Sequence, residues 1–190
     1  QFQDQFLNQV VPQVDRINLV CQSLLRLSRS DTESLIEIET KELLNQTMRL
    51  ISGDIIKSNT KLQVINISET VILIDQVMCT QVLINLLLFA FKLVINNKSK
   101  IILMLNASSG SELSIDLKMN EYNKDIEITN ATIPDHLELS IVNQIILNQG
   151  GEFKITRTAL WLSFNIKLPI KKGTVKVKNG YLNKDFWIKR

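Results

Sequence analysis

The chain has 190 residues and a mass of 21.7 kDa, and 45% of its residues are apolar while 22% are charged. This composition is typical of one globular domain and excludes the disordered and fibrous classes. The longest apolar run, about Val82 to Ile95, is interrupted by Asn85 and Lys92 and is shorter than the roughly 20 residues that cross a bilayer. The sequence also shows no secretory signal, so we expect a soluble, cytoplasmic protein.

The net charge of +3 is unevenly distributed, because residues 171–190 hold seven Lys or Arg and one acid. This basic C-terminal tail also carries Tyr181, Phe186 and Trp187, a combination that can bind nucleic acid or anionic lipid. The simpler alternative is a solvated extension whose aromatic side chains fold back on the domain or onto another copy. Cys21 and Cys79 lie in helix-like segments, which favours a reducing cytoplasm over a disulfide scaffold.

Residues 2–28 carry apolar side chains at three- and four-residue spacing, which predicts a long helix with a narrow apolar seam. The seam consists of Phe6, Val10, Val14, Ile17, Cys21, Leu24 and Leu27. Pro12 removes a backbone donor and predicts a kink or a start near Val11. Because a lone helix cannot bury such a seam, it must pack on a second helix of the same chain or of another copy.

The remaining pattern alternates between strands and helices up to residue 170. Strands are predicted at 34–40, 61–67, 70–74, 100–108, 112–120, 125–130, 152–158 and 159–170, and helices at 41–59, 75–96 and 135–149. Gly150 and Gly151 stop the last helix, since glycine readily takes the left-handed conformation after a helix C-terminus. The order predicts an α+β fold, a two-layer sandwich with helices on one face of a mixed, mostly antiparallel sheet, preceded by the long helix.

Several segments of this pattern resemble the sensor histidine kinases of two-component signalling. "FLNQVVPQVDRINLVCQSLLRLSR" looks like the second helix of their dimerisation hairpin, and "IDQVMCTQVLINLLLFAFKLV" is similar to the helix that carries the N box. "LELSIVNQIILNQGGEFKI" resembles the helix after the glycine-rich G2 box, and "LWLSFNIKLPI" resembles the last strand. The resemblance implies a dimerisation-type helix at 1–30, an ATP-binding-like domain of the Bergerat type at 31–170, and the tail at 171–190.

The resemblance fails at the positions that hold nucleotide and metal in the family. The first Asn of the N box is Asn85, with Lys92 in register, but the second, a Mg²⁺ ligand in the family, is replaced by Phe89. A phenyl ring offers no lone pair to a cation that prefers oxygen ligands. The family's D-x-G-x-G box corresponds to "IEITNATIP", with Ile128 or Asn130 at the Asp position and Asn130 and Thr132 at the glycines.

The G2 box, G-x-G-L in the family, corresponds to His136, Leu137, Glu138 and Leu139. A helix N-terminus binds phosphate only where its amides can be reached, and glycine leaves them bare. Glu138 places a negative charge where the resemblance puts the phosphates, which costs about 1 kcal/mol in water and several in a low-dielectric cleft. There is also no room for the family's long ATP lid. We therefore expect no nucleotide cofactor, no bound metal and no catalytic residue.

The phosphoacceptor of the family is a histidine on the first hairpin helix, which the matched segments do not include. The one histidine, His136, has no supporting cluster of metal ligands, and we expect a surface histidine near a helix start.

We therefore predict a catalytically inactive, histidine-kinase-like module that acts by protein binding. The resemblance implies a homodimer through the N-terminal helix, and a partner such as a response regulator or another histidine kinase near Gln13, Asp15 and Arg16. Three alternatives stay open. They are phosphotransfer through a histidine outside this sequence, an unconventional nucleotide site, and nucleic-acid or lipid binding through the basic tail.

Overall fold

The computed structural model describes Val14 and residues 35–67, 70–96, 98–108 and 111–170. Of the predicted N-terminal helix only Val14 is described; it is helical and 49% exposed. The suggested partner surface at Gln13, Asp15 and Arg16, and the basic tail at 171–190, lie outside the described residues.

The first half of the described chain forms a small two-stranded sheet, one strand of the main sheet and three helices. Strand β1 (Leu35–Glu39) pairs antiparallel with β3 (Val71–Asp75), and β2 (Lys61–Asn66) lies between them in sequence. Helix α1 (Thr40–Leu50) is followed by α2 (Ser52–Ser58), and α3 (Gln76–Leu93) follows β3 directly. The Asp75 side chain caps α3 by accepting a hydrogen bond from the backbone N–H of Met78 at 3.1 Å.

The second half contains the remaining strands and the last helix. Strands β4 (Lys100–Ser108) and β5 (Glu112–Met119) come first, followed by a short 3-10 helix (Ile133–Asp135) and α4 (Leu137–Asn148). Strands β6 (Glu152–Arg157) and β7 (Leu162–Pro169) end the domain. Gly150 has φ of 70° at the end of α4, as predicted for a left-handed helix stop.

The main sheet has the strand order β2-β4-β5-β7-β6, in which β2 and β4 are parallel and all other pairs are antiparallel. Along β5, buried side chains at Leu113, Ile115, Leu117 and Met119 alternate with partly exposed ones. The buried side chains form one core with the helices, which cover this face of the sheet. The predicted two-layer α+β sandwich with a mixed, mostly antiparallel sheet is confirmed.

Helix α3 is the central element of the helical layer. By length and composition alone it could cross a membrane, but 72% of it is buried within the fold. It packs along α4 on one side and against α1 and α2 on the other. An apolar helix that is buried this thoroughly is the core helix of a globular domain.

Two of the predicted elements differ from the observed ones. The helix predicted at 41–59 is divided at Ile51, where the Ser52 hydroxyl donates to the carbonyl of Arg49 at 3.0 Å. The strand predicted at 125–130 does not form. Its polar side chains bond locally instead, because Thr132 Oγ1 donates to Glu127 O at 3.1 Å and Asn130 Oδ1 accepts the backbone N–H of Ile155 at 2.8 Å.

Two glycines give a matched test of this packing. A Cβ added at Gly151 would lie 2.5 Å from the carbonyl oxygen of Lys167, whereas one added at Gly53, inside α2, would meet nothing within 4 Å. We expect Gly151→Ala to lower the free energy of unfolding by about 1–3 kcal/mol through overpacking. Gly53→Ala should raise it by up to about 1 kcal/mol through helix propensity. Urea denaturation of both variants measures the difference, and equal effects would contradict the close approach at Gly151.

Candidate functional site

Helix α3 presents the positions that resemble an N box on one face. Asn85, Phe89 and Lys92 follow one another at four- and three-residue spacing, which places their side chains on neighbouring turns. The N-cap at Asp75 fixes where the helix begins, and the buried helix body fixes its rotation. Two of the three contact the start of α4, Phe89 through His136 and Lys92 through Glu138.

Asn85 is 6% exposed, and its side-chain amide is engaged within its own helix. Its Nδ2 donates to the backbone carbonyl of Gln81, one turn earlier, at 2.9 Å.

The resemblance aligns Phe89 with the metal-binding Asn of the family's N box. Its ring is 4% exposed and lies between His136, which precedes α4, and Phe164, which belongs to β7. The ring centroids are 5.1 Å from His136 with a 56° tilt, and 5.9 Å from Phe164 in an edge-to-face arrangement at 88°. Both separations are in the range of favourable aromatic pairs. The three rings fill the space between α3, β7 and the start of α4.

His136 directly precedes α4 and is partly exposed, and its ring packs against Phe89. Its Nε2 lies 3.3 Å from the carbonyl oxygen of Glu127, and its own carbonyl accepts the backbone N–H of Ser140 at 2.8 Å. His136 therefore contacts three elements. Its ring contacts Phe89 of α3 and Glu127 of the 125–130 segment, and its backbone carbonyl accepts a hydrogen bond from α4.

Glu138, in the first turn of α4, forms an ion pair with Lys92 of α3. The Glu138 side chain is 16% exposed and that of Lys92 is 62% exposed. Burial alone would raise the pKa of the Glu138 carboxyl, but the hydrogen bond and charge of Lys92, with smaller backbone and His136 contributions, outweigh it and lower the pKa below 4.5. The carboxylate is a partner of Lys92, so the charges of the two side chains neutralise each other.

The resemblance aligns several side chains with the D-x-G-x-G box, and these side chains are buried in the core or bonded to backbone groups. Ile128 is 2% exposed in the core, and the Asn130 carboxamide covers the outer edge of β6 through the backbone of Ile155. Thr132 bonds to Thr129 and Glu127 through its hydroxyl. These side chains occupy the turn, and none of them is a carboxylate that could accept from an adenine amino group.

A groove of about 420 Å³ remains beside the three rings, between α2, α3 and the start of α4. It is lined by Asp54, Lys57, Ser58, Leu88, Phe91 and the Lys92–Glu138 pair. Neither Asn85 nor Phe89 lines it. Its volume is in the range of small-molecule sites. Its lining carries both charges, with Asp54 and Glu138 as well as Lys57 and Lys92.

The described residues contain no group of three or more His, Cys, Asp or Glu side chains arranged to hold a metal ion. Cys79 is fully buried in α3, and burial, with a smaller contribution from the Asp75 charge, raises the pKa of its thiol to about 12. The thiol is therefore protonated at neutral pH and is a packing group rather than a nucleophile.

Sequence reasoning missed two contacts of this region. The sequence predicts Phe164 only as part of the last strand, and no spacing in the sequence links it to Phe89. The Lys92–Glu138 pair joins residues 46 apart in sequence. Their opposite charges at two positions that face one cleft in the family were a usable signal for the pair.

No family model and no curated protein matches the sequence. Solved structures do match. The nucleotide-free catalytic domain of histidine kinase ThkA is 20% identical, covers 71% of this chain and 95% of its own, and has a TM-score of 0.59. Histidine kinase AdeS of Acinetobacter baumannii is 15% identical, with 84% and 81% covered and a TM-score of 0.64.

Full-length ShkA, solved in complex with AMPPNP, is 18% identical and has a TM-score of 0.64. The match covers 91% of this chain and 40% of ShkA. At these identities the likeness concerns the fold. The described part of the chain has the fold of a sensor histidine kinase ATP-binding domain.

Proposed function

We propose that this chain is a signalling module with a histidine-kinase fold that neither binds ATP nor transfers phosphate, and that acts by binding other proteins. The observation that carries the proposal is the packing of Phe89 between His136 and Phe164. A ring in that place removes an oxygen ligand for Mg²⁺ and fills space that nucleotide phosphates need.

The Lys92–Glu138 pair supports the same conclusion from the electrostatic side. A lysine that faces phosphates must be free to meet them, and here its charge is matched by a carboxylate from α4. Binding a triphosphate would require breaking the pair and placing Glu138 near negative charge. Metal, phosphate and adenine contacts are thus replaced together rather than one at a time.

The partner follows from the fold and the amphipathic N-terminal segment. We infer a cytoplasmic dimer through residues 1–30, with a response regulator or another histidine kinase as the bound protein. The suggested surface is Gln13, Asp15 and Arg16. The domain at 31–170 would then serve as a rigid body attached to the dimerisation helix. Phosphotransfer by His136 is not favoured, because its ring is engaged with Phe89 and Glu127.

Isothermal titration with ATP and ADP, with and without Mg²⁺, tests the loss of nucleotide binding. We expect no saturable heat up to millimolar nucleotide, because the phosphate and metal positions are occupied by side chains. ShkA, solved with AMPPNP, provides a positive control. Saturable binding, or ATP-dependent autophosphorylation of the purified chain, would overturn the proposal.

A pair of phenylalanine variants tests whether the Phe89 position is core or cleft. Phe89→Ala should lower the free energy of unfolding by about 3–5 kcal/mol, as for a buried aromatic side chain. Phe91→Ala, two residues further along α3 and partly exposed at the groove, should cost clearly less. Urea denaturation measures both. Similar small costs would mean that Phe89 faces open space, contrary to the filled site.

The Lys92–Glu138 pair predicts a specific pH dependence of stability. Because the folded-state pKa of Glu138 is lowered, the pair stabilises the fold above pH 4.5 and this contribution is lost as the pH falls through the lower folded pKa. The loss should be about 1 kcal/mol or less, because Lys92 is largely exposed. Glu138→Gln should remove this part of the pH dependence in urea denaturation between about pH 6 and pH 3.

Glu152→Gln is the matched control, since Glu152 pairs with Lys154 at 2.6 Å on the exposed edge strand β6. Solvent screens that pair, so the control should change the pH dependence less. If Glu138→Gln leaves the pH profile as in the unmodified chain, the pair does not hold α3 and α4 together.

A further inference from the structure

The face of the main sheet that points away from the helices carries lysines in two different situations. Alternation in the strands places Lys61, Lys100, Lys118, Lys154 and Lys167 on this face, since their sequence neighbours in β4, β5, β6 and β7 are buried toward the core. Lysines therefore stand on every strand region of this face. Where positive charge stays unpaired depends on which lysines have a carboxylate beside them.

At the β6–β7 side of the face, each lysine has a carboxylate partner. Lys154 pairs with Glu152 at 2.6 Å, and Lys167 lies 3.8 Å from Glu112. Asp116, in the middle of the face, accepts a hydrogen bond from Asn165 at 2.5 Å. The two lysines on this side are therefore neutralised by carboxylates of the same face.

At the β2–β4 corner the lysines are not neutralised. Lys61 and Lys100 stand directly opposite each other in the parallel register of β2 and β4. Lys118 follows on β5, opposite Ile102 and diagonal to Lys100. Within the described part of the chain, none of the three forms an ion pair, and Glu121, past the end of β5, is not paired with them. The three strands span about 10 Å.

Such an arrangement costs stability in the isolated domain. Like charges placed directly opposite across neighbouring strands repel each other, and no acid among the described residues forms an ion pair with these three lysines. Lys100 and Lys118 are only partly exposed. A negatively charged partner would turn this repulsion into attraction.

Apolar side chains border the lysines on the same face. Ile65 of β2 is in register with Met104 of β4, and Ile102 lies between Lys100 and Met104. All three are partly exposed. An apolar centre with a charged rim is the usual composition of a protein–protein interface. The outward-facing residues of β2, β4 and β5 include no aromatic side chain on which a nucleic-acid base could stack.

We propose that Lys61, Lys100 and Lys118, together with Ile65, Ile102 and Met104, form a docking surface for an acidic, amphipathic segment of a partner protein. Carboxylates of the segment meet the three lysines, and its apolar side chains cover the isoleucine and methionine side chains. This surface lies on the opposite face of the sheet from the nucleotide-like cleft. Its test is therefore independent of whether ATP binds, and either proposal can fail alone.

The test uses the full chain and a synthetic 16-residue peptide whose Glu and Leu residues lie on opposite faces of a helix. Zero-length carbodiimide cross-linking joins peptide carboxylates to contacting amines, and mass spectrometry identifies the lysines. We expect links concentrated on Lys61, Lys100 and Lys118 rather than on Lys154 and Lys167. Links spread evenly over the exposed lysines, or confined to the basic tail, would overturn the proposal.

Fluorescence anisotropy of the labelled peptide gives the affinity of matched variants. K61Q/K100Q/K118Q should weaken binding at least tenfold. The control is K124Q/K154Q/K167Q, in which Lys124 is an exposed residue of the segment after β5. It makes the same change in net charge with an intact tail and should change the affinity less than twofold. The first variant should keep or slightly raise the melting temperature, because it removes the Lys61–Lys100 repulsion. Equal weakening by both variants would overturn the proposal.

Vesicles containing phosphatidylserine and a single-stranded oligonucleotide are the competing probes. A protein partner is supported if K61Q/K100Q/K118Q weakens binding of the peptide and leaves binding of the vesicles and the oligonucleotide unchanged. If the vesicles or the oligonucleotide lose binding in this variant while the peptide does not, the surface recognises lipid or nucleic acid and the proposal is wrong.

Discussion

The contact of the Phe89 ring with His136 and Phe164 is the interaction on which the rest of this domain depends. It joins the central helix α3, the middle of the sheet and the entry to α4 at one point. Burial of a phenylalanine side chain contributes about 1.5–3 kcal/mol relative to exposure, and edge-to-face pairing adds to this. The net stability of a domain is about 5–15 kcal/mol, so this contact contributes a substantial part of it. A nucleotide-binding domain must keep the same space open for its ligand.

The Lys92–Glu138 pair joins the same two helices beside this contact. Because glycine would leave the backbone amides bare at the start of α4, the side chains of His136 and Glu138 are the groups that contact α3 there. Glu138 complements the N-terminal end of the α4 dipole and the charge of Lys92 at the same time. These side chains help to hold the helical layer together.

The sequence predicted the fold because the fold depends on periodicity. Alternation in β4 and β5, the apolar helix α3 and the glycine stop after α4 are local patterns, and the structure has them nearly as predicted. The segment at 125–130 alternates as well, but Asn and Thr side chains bonded to nearby backbone outweighed the weak apolar pattern. The contact of Phe89 with Phe164 joins distant parts of the chain, so no local pattern could reveal it.

A nucleotide-dependent domain usually changes shape through a mobile loop that closes over its ligand. Here the segment between β5 and α4 is held by Asn130 at the edge of β6, by Thr132 in its own turn and by His136 against α3. Because these contacts leave it little freedom, a signal that depends on opening and closing this cleft would have to break the core. Any movement of this segment away from α3 would therefore have to separate the His136 ring from Phe89.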